Sequence, residues 1–281
     1  MSDQYSTIKK YKGSIPIAFA TNNAYLAALA VAIQSISDNS DDTYRYDIYI
    51  LYNSQLNIEK AKRIKSTVKE NIKIEFMNVD AVKKNRSFTS FGRFSEEAYY
   101  DLLVADLFTN LKKVLFLDCD LVVLKDVKEL YDTDTSNYLL AGVQEYLEGQ
   151  FILDYVRNTV NVETDTYFNS GVLVINCEKF RQENILEKTM SIHSNKERYI
   201  YRDQDYLNIA CNGKVKYISD RWNVRCFMPE SLVEEIKDPA LIHYAGNRKP
   251  WYKGECILSE YFWMYAKKSA FYNELLVIRG E

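Results

Sequence analysis

Apolar and polar positions alternate along the first third of the chain in a regular order of elements. IPIAFAT (15–21) is a short apolar run that breaks at Asn22 and Asn23, and YLAALAVAIQSISDNS (25–40) follows with helical spacing before closing in a polar turn. RYDIYILYN (45–53) alternates like a strand, IEKAKRIKSTVKE (58–70) has the spacing and mixed charge of an amphipathic helix, and IKIEFMNVD (72–80) returns to a strand pattern. Strand, helix, strand, helix, strand predicts a parallel sheet with crossover helices. A helix over EEAYYDLLVADLF (96–108) leads into KVLFLDCDLVV (113–123), an apolar run with Asp118 and Asp120 set into it. Beyond residue 125 the pattern is mixed. YLLAGVQEY (138–146), YFNSGVLVINCEKF (167–180), VKYIS (215–219) and ALIHYAG (240–246) read as strands around helices at 181–193 and 203–211. LSEYFWMYAKKSAFYNELL (258–276) reads as one aromatic-rich helix. There is no repeat, low-complexity stretch or linker, so the simplest expectation is a single α/β domain with a nucleotide-type N-terminal half.

Bulk composition narrows the class. Of 281 residues, 47% are apolar and 27% charged, the usage of a folded globular protein. A formal net charge of −3 argues against nucleic acid as the main partner, because phosphate binding usually shows a basic surplus. The five cysteines are odd in number and contain no C-x-x-C pair, which favours a reducing, cytoplasmic compartment over a disulfide framework or zinc cluster. The first residues, MSDQYSTIKKYKGS, lack the apolar core of a signal peptide, and no run approaches the ~18 apolar residues of a membrane span. The 23 tyrosines suit the gripping of sugars and bases, though an AT-rich genome explains them equally well.

Four stretches carry candidate chemistry. Two carboxylates ending a buried strand are costly unless they lie outside the core or meet a cation. Side chains two apart on an extended segment point the same way, so Asp118 and Asp120 can share one ion. Cys119 between them reads as packing, since hard divalent ions prefer oxygen. In IHYAGNRKPW (242–251), His243 alone would be an ordinary core residue, but Gly246 and Lys249 beside it suggest an anion site. His193, without such company, reads as a surface residue. In YRDQDYLN (201–208), Asp203 and Asp205 begin a helix, where one carboxylate is explained by the dipole and two plus Gln204 less easily. FNSGVLVIN (168–176) is a turn feeding a buried strand.

Taken in order, FLDCDLVV, FNSGVLVIN, RDQDYLN and HYAGNRKPW resemble glycosyltransferase family 8, the retaining, nucleotide-sugar-dependent enzymes of the GT-A fold. IAFATNNAYLAALAVAIQSI resembles the family's nucleotide-binding start, and the likeness spans roughly residues 15 to 252. The resemblance implies a GT-A fold, a Rossmann-like mixed sheet with flanking helices. It would occupy residues 1–252, with a nucleotide-binding half at about 15–125 and an acceptor-side half at about 126–252, and residues 253–281 would form a helical extension packed on it. It further implies Mn²⁺, with Mg²⁺ as a substitute, held by Asp118, Asp120 and His243, and diphosphate contacts from Gly246 and Lys249. Ala20, Thr21, Asn22 and Tyr25 would hold the uridine, with Cys119 among the donor-binding positions. Asn169 and Gln204 would touch the donor sugar, and Asp203 would orient its hydroxyls. Asp205 is a candidate nucleophile for double displacement. Front-side attack, with the Gln204 amide carbonyl facing the cation, is the favoured alternative. The implied partners are UDP-galactose or UDP-glucose and a saccharide or glycoconjugate acceptor of a bacterial surface glycan.

Three positions depart from the family pattern. Asn22 and Asn23 stand where acidic residues are common, Asp101 stands in the place of an arginine that Arg93 would have to replace, and Glu145 stands for an aspartate. These departures motivate a rival reading as a non-catalytic nucleotide- or glycan-binding module. A metal-dependent nucleotidyltransferase is a third, disfavoured by the lack of a phosphate-cradling glycine loop. Tyr261, Phe262, Trp263, Tyr265, Phe271 and Tyr272, with Lys267 and Lys268, would suit contact with the inner face of a membrane, against the competing expectation that this helix packs on the domain.

Overall fold

A computed structural model describes residues 10–83 and 95–281. The apolar runs of the N-terminal half form β1 (Ser14–Ala20), β2 (Arg45–Tyr52), β3 (Ile72–Asn78) and β4 (Lys113–Leu117). They are followed by β5 (Leu121–Val123), β6 (Leu140–Gln144), β7 (Phe168–Asn176), β8 (Val215–Tyr217), β9 (Val224–Arg225) and β10 (Leu241–His243). Seven of them make one sheet in the order β3-β2-β1-β4-β7-β6-β8, and β5-β10-β9 make a second, smaller sheet. β1 pairs in parallel with β2 and β4, and β2 with β3. β7 enters antiparallel between β4 and β6, which makes the large sheet mixed.

Helix α1 (Leu26–Asn39) is buried over Leu26–Ser37 because it is covered on several sides, by β5 and by the C-terminal helices as well as by the core beneath it. A helix enclosed in this way is apolar around most of its circumference, which is what its sequence shows. β1 and β2 carry near-continuous buried residues, as strands covered on both faces do.

Several expected elements are shortened or divided. The segment 58–70 forms one α-turn (Ile58–Ala61) and a 3₁₀ stretch (Lys62–Ser66), with only Ala61 and Ile64 of these two elements buried. So narrow an apolar stripe gives a helix little to pack with. The segment 96–108 is a 3₁₀ helix (Glu96–Leu103) followed by an α-turn (Val104–Leu107). β7 stops at Asn176, whose side chain accepts from Lys179 N (3.1 Å) and caps a helix over Cys177–Gln182.

The aromatic C-terminal stretch is two helices, Ser259–Ala266 and Tyr272–Arg279. Ser269 Oγ donates to Ala266 O (3.0 Å) and accepts from Phe271 N (3.3 Å), giving the chain a local alternative to the helix ladder. Phe262, Tyr265 and Phe271 are buried against the domain core, and Tyr265 OH accepts from Asn39 Nδ2 (2.8 Å). The aromatic side that a membrane could have met is thus largely occupied by the protein itself. Among the described residues no helix is long and apolar enough to cross a membrane.

Candidate active site

Asp118 follows the last residue of β4, and its N–H still donates to Gly171 O (2.9 Å), so the chain stays extended through the pair. Alternation does the rest. Cys119 turns inward and its thiol donates to Ala20 O (2.9 Å), while Asp118 and Asp120 face a common cavity. β10 runs antiparallel to β5 and sets His243 opposite Leu121. His243 Nε2 lies 3.4 Å from Asp118 Oδ2 and 3.3 Å from Asp120 Oδ1. Burial alone would lower the imidazole pKa, but the Asp120 and Asp118 carboxylates prevail and raise it to about 9. Burial would raise the Asp120 pKa, and the Lys249 and His243 charges instead hold it far below the usual carboxylate range. Lys249 Nζ contacts Asp120 Oδ2 and donates to Tyr244 O (2.8 Å).

One ligand atom from each of Asp118, Asp120 and His243 lies within 4.8 Å of the others, a donor set able to hold a divalent cation. The imidazole is aimed by its other nitrogen, since Nδ1 donates to Asn223 Oδ1 (3.0 Å). Gly171 makes the space. A Cβ there would stand 2.2 Å from His243 Cε1 and 2.7 Å from Asp118 Oδ2, so no other residue fits without displacing the trio.

A cavity of 440 Å³ opens over these groups. Every position expected from the sequence lines it except Lys249, which sits behind Asp120, and Asp205. Ala20, Thr21, Asn22 and Tyr25, at and after the end of β1, are among its lining residues. Asn22 Oδ1 accepts from Ala24 N (3.0 Å) and Tyr25 N (3.2 Å), and its Nδ2 donates to Ser95 Oγ (3.1 Å) and Glu97 Oε2 (3.3 Å). Glu97 is itself fixed by Asn53 Nδ2 (2.6 Å) and lines the cavity. A carboxylate therefore stands beside Asn22 after all, supplied from 75 residues away, where no sequence signal marked it. Asn23 is spent elsewhere, on Gln55 O (2.8 Å).

On β7, Asn169 Oδ1 accepts from Asn223 Nδ2 (2.9 Å), while its Nδ2 donates to Glu145 Oε2 (2.7 Å) and Gln204 Oε1 (3.2 Å). Ser170 N also donates to Gln204 Oε1 (3.1 Å), and Ser170 Oγ to Asp203 Oδ2 (3.1 Å). Burial, with Asp101 and Asp118 nearby, pushes the Asp203 carboxyl well above the usual carboxylate range. Glu145 also pairs with Arg225 (3.1 Å), whose guanidinium is fully buried and needs an anion. Neither Arg225 nor Asn223 carried a signal in the sequence, because each acts across the fold rather than within a motif.

Asp205 is turned away from this cavity. Its carboxylate accepts from Tyr167 OH (2.6 Å), Tyr155 OH (2.6 Å) and Tyr201 N (2.8 Å) and is wholly buried. Tyr167 OH in turn accepts from Gln204 Nε2 (3.2 Å), so Asp205 reaches the cavity only through that hydroxyl. Asp101 is also buried, with Oδ1 accepting from Leu102 N (2.7 Å), and burial raises its carboxyl well above the ordinary range. Arg93, the suggested replacement cation, lies outside the described residues. His193 is corrected from surface to interior: its ring stands edge-on to Tyr99 (4.9 Å) and Tyr206 (5.8 Å).

Residues 16–254 match the family model described as glycosyl transferase family 8. The chain belongs to glycosyltransferase family 8. The transferase is 27% identical over 252 residues to General stress protein A of Bacillus subtilis, covering 84% of this chain and 86% of that protein. It is 23% identical over 274 residues to the lipopolysaccharide 1,3-galactosyltransferase of Salmonella typhimurium, covering 92% and 78%. Among solved structures it superposes on the galactosyltransferase LgtC in complex with donor and acceptor sugar analogues. That match has a TM-score of 0.74 and 25% identity, over 91% of this chain and 96% of the other. The mixed sheet with its flanking helices is accordingly the GT-A fold, and the activity class is glycosyl transfer.

Proposed function

We propose that the transferase moves a hexose, galactose or glucose, from a UDP-sugar to a saccharide or glycoconjugate acceptor with retention of configuration. The setting is the cytoplasm, in the making of a bacterial surface glycan. One observation carries the reading: the Asp118, Asp120 and His243 trio is tied to Ala20 through Cys119 and to Asn169 through Asn223. A cation-holding centre tied to Ala20 on β1 and to Asn169 on β7 matches the order of base, diphosphate and sugar in a nucleotide sugar. Similarity to galactosyltransferases supports the hexose.

Mn²⁺, or Mg²⁺ in its place, held by Asp118, Asp120 and His243, supplies the positive charge a departing diphosphate needs. Tyr25 covers the uracil with Ala20, Thr21, Cys119 and Asn22 around the nucleoside. Lys249 exchanges Asp120 for a phosphate oxygen, and Gly246, at φ 84°, lets the backbone approach it. Asn169 and Asp203 orient the sugar hydroxyls. The acceptor oxygen then bonds to the anomeric carbon on the face that the phosphate leaves, and the leaving phosphate oxygen takes the acceptor's proton. The Gln204 carbonyl oxygen, held on the cavity wall by Ser170 N and Asn169 Nδ2, sets its negative end beside the cationic sugar. The enclosure of Asp205 by two tyrosine hydroxyls and an N–H favours this front-side route over a covalent intermediate on that carboxylate.

The test is release of nucleotide from a panel of nucleotide sugars with Mn²⁺ present, with Asp120→Ala as control. The expected result is turnover of one UDP-hexose that disappears in the variant. Pyrophosphate release from a nucleoside triphosphate instead, or preference for a sugar on another nucleotide, would replace the reading.

A further inference from the structure

Two of the five cysteines, Cys226 and Cys256, share a backbone partner outside the cavity. Cys226 follows β9 and its N–H donates to His243 O (3.2 Å), which fixes it to the strand that carries the metal-site imidazole. Cys256 lies in the segment that returns from Lys249 to the first C-terminal helix, two residues after Gly254 (φ 127°). Both thiols donate to one carbonyl, Arg248 O, at 3.7 and 3.6 Å. Arg248 immediately precedes Lys249, so the thiol pair holds the turn from which Lys249 reaches Asp120. Cys119, Cys177 and Cys211 are each buried, whereas Cys256 is partly exposed.

We propose that Cys226 and Cys256 form a thiol-oxidation site for hydroperoxides, closing a reversible disulfide that displaces the Lys249 turn and weakens donor binding. Cys256, partly exposed where Cys226 is buried, is the thiol a peroxide reaches and the attacking nucleophile. It takes one oxygen from the peroxide to become a sulfenic acid, and the other oxygen leaves as water. The Cys226 sulfur then displaces a second water, so two thiols and one hydrogen peroxide give one disulfide and two waters. The bridged sulfurs have no S–H left, so Arg248 O loses both donors and the turn is drawn toward β9.

The effect on donor binding rests on the UDP reading above, whereas formation of the bridge does not. The reduced full chain is treated with hydrogen peroxide, mapped by non-reducing peptide mass spectrometry, and titrated with UDP in the presence of Mn²⁺. The expected result is a Cys226–Cys256 peptide lighter by about 2 Da, with UDP affinity weakened roughly tenfold, as for one misplaced charge-assisted hydrogen bond. Dithiothreitol restores the affinity, and Cys256→Ser neither bridges nor responds. Failure of the pair to bridge, or a bridged protein with unchanged UDP affinity, overturns the proposal. A reduced protein that never binds UDP overturns the functional reading instead, and the peptide mass still decides the thiol assignment.

Discussion

Two acidic pairs of identical spacing, Asp118-Cys119-Asp120 and Asp203-Gln204-Asp205, line or adjoin the cavity, and they do opposite things. The first lies on extended backbone at the end of β4, where alternate residues share a face, and both carboxylates meet His243. The second opens the helix Asp203–Ala210, where a step of two residues turns the side chain by about 200°. Asp203 therefore faces the cavity with Gln204, while Asp205 points back to Tyr155 and Tyr167. A D-x-D spacing has no chemistry of its own; the backbone conformation beneath it decides whether two carboxylates make a pair.

The largest way to break this contrast is Asp120→Ala. Loss of the cation site removes several kcal/mol of charge stabilisation, so turnover should fall roughly a thousandfold or more, read as nucleotide released per minute. The variant also strands the buried Lys249 and His243, at a cost of about 3–5 kcal/mol visible in urea unfolding. Gln204→Ala should lower kcat roughly a hundredfold with KM little moved, if its carbonyl acts on the cationic sugar and not on the bound donor. An equal rise in KM at constant kcat would demote it to a binding contact.

Gly171→Ala inserts a Cβ among His243 and Asp118. Calorimetry should show Mn²⁺ affinity weakened by roughly 10- to 100-fold with the fold intact. Unchanged affinity would mean the trio is not the metal site. Asp205→Asn is the counter-experiment. It puts an amide where three donors converge, so stability should drop by about 2 kcal/mol while kcat of the folded fraction stays within roughly tenfold of wild type. Collapse of kcat at unchanged stability would revive a covalent intermediate.

The smallest signal is a proton. His243 is held protonated up to about pH 9 by its carboxylates and must be neutral to bind a metal, so Mn²⁺ binding at lower pH should release about one proton. Affinity should accordingly rise with pH and level off above about 9. Titrations in buffers of different ionisation enthalpy measure this, and zero release would contradict His243 as a ligand.

Much of this was legible in the chain. β1, β2 and β3 fall within a residue or two of their apolar runs, and Asp118, Asp120 and His243, grouped in advance by the family resemblance, lie together. What escaped was of two kinds. Glu97, Asn223 and Arg225 act through contacts between residues far apart in sequence, and no local pattern announces them. The aromatic tail and His193 carried an ambiguity that sequence does not resolve, since a face destined for the interior and one destined for a membrane or a partner look alike. Asp205 was placed on the helix that begins at Asp203, but Tyr155 and Tyr167, the distant partners that claim its carboxylate, carry no local signal.

The most direct measurement is UDP binding with and without Mn²⁺ to three proteins: wild type, Asp120→Asn and Asp205→Asn. Mn²⁺-dependent binding is expected in the wild type, with its loss in Asp120→Asn and its survival in Asp205→Asn. Binding that is indifferent to Mn²⁺, or that survives in Asp120→Asn and fails in a folded Asp205→Asn, would contradict this expectation.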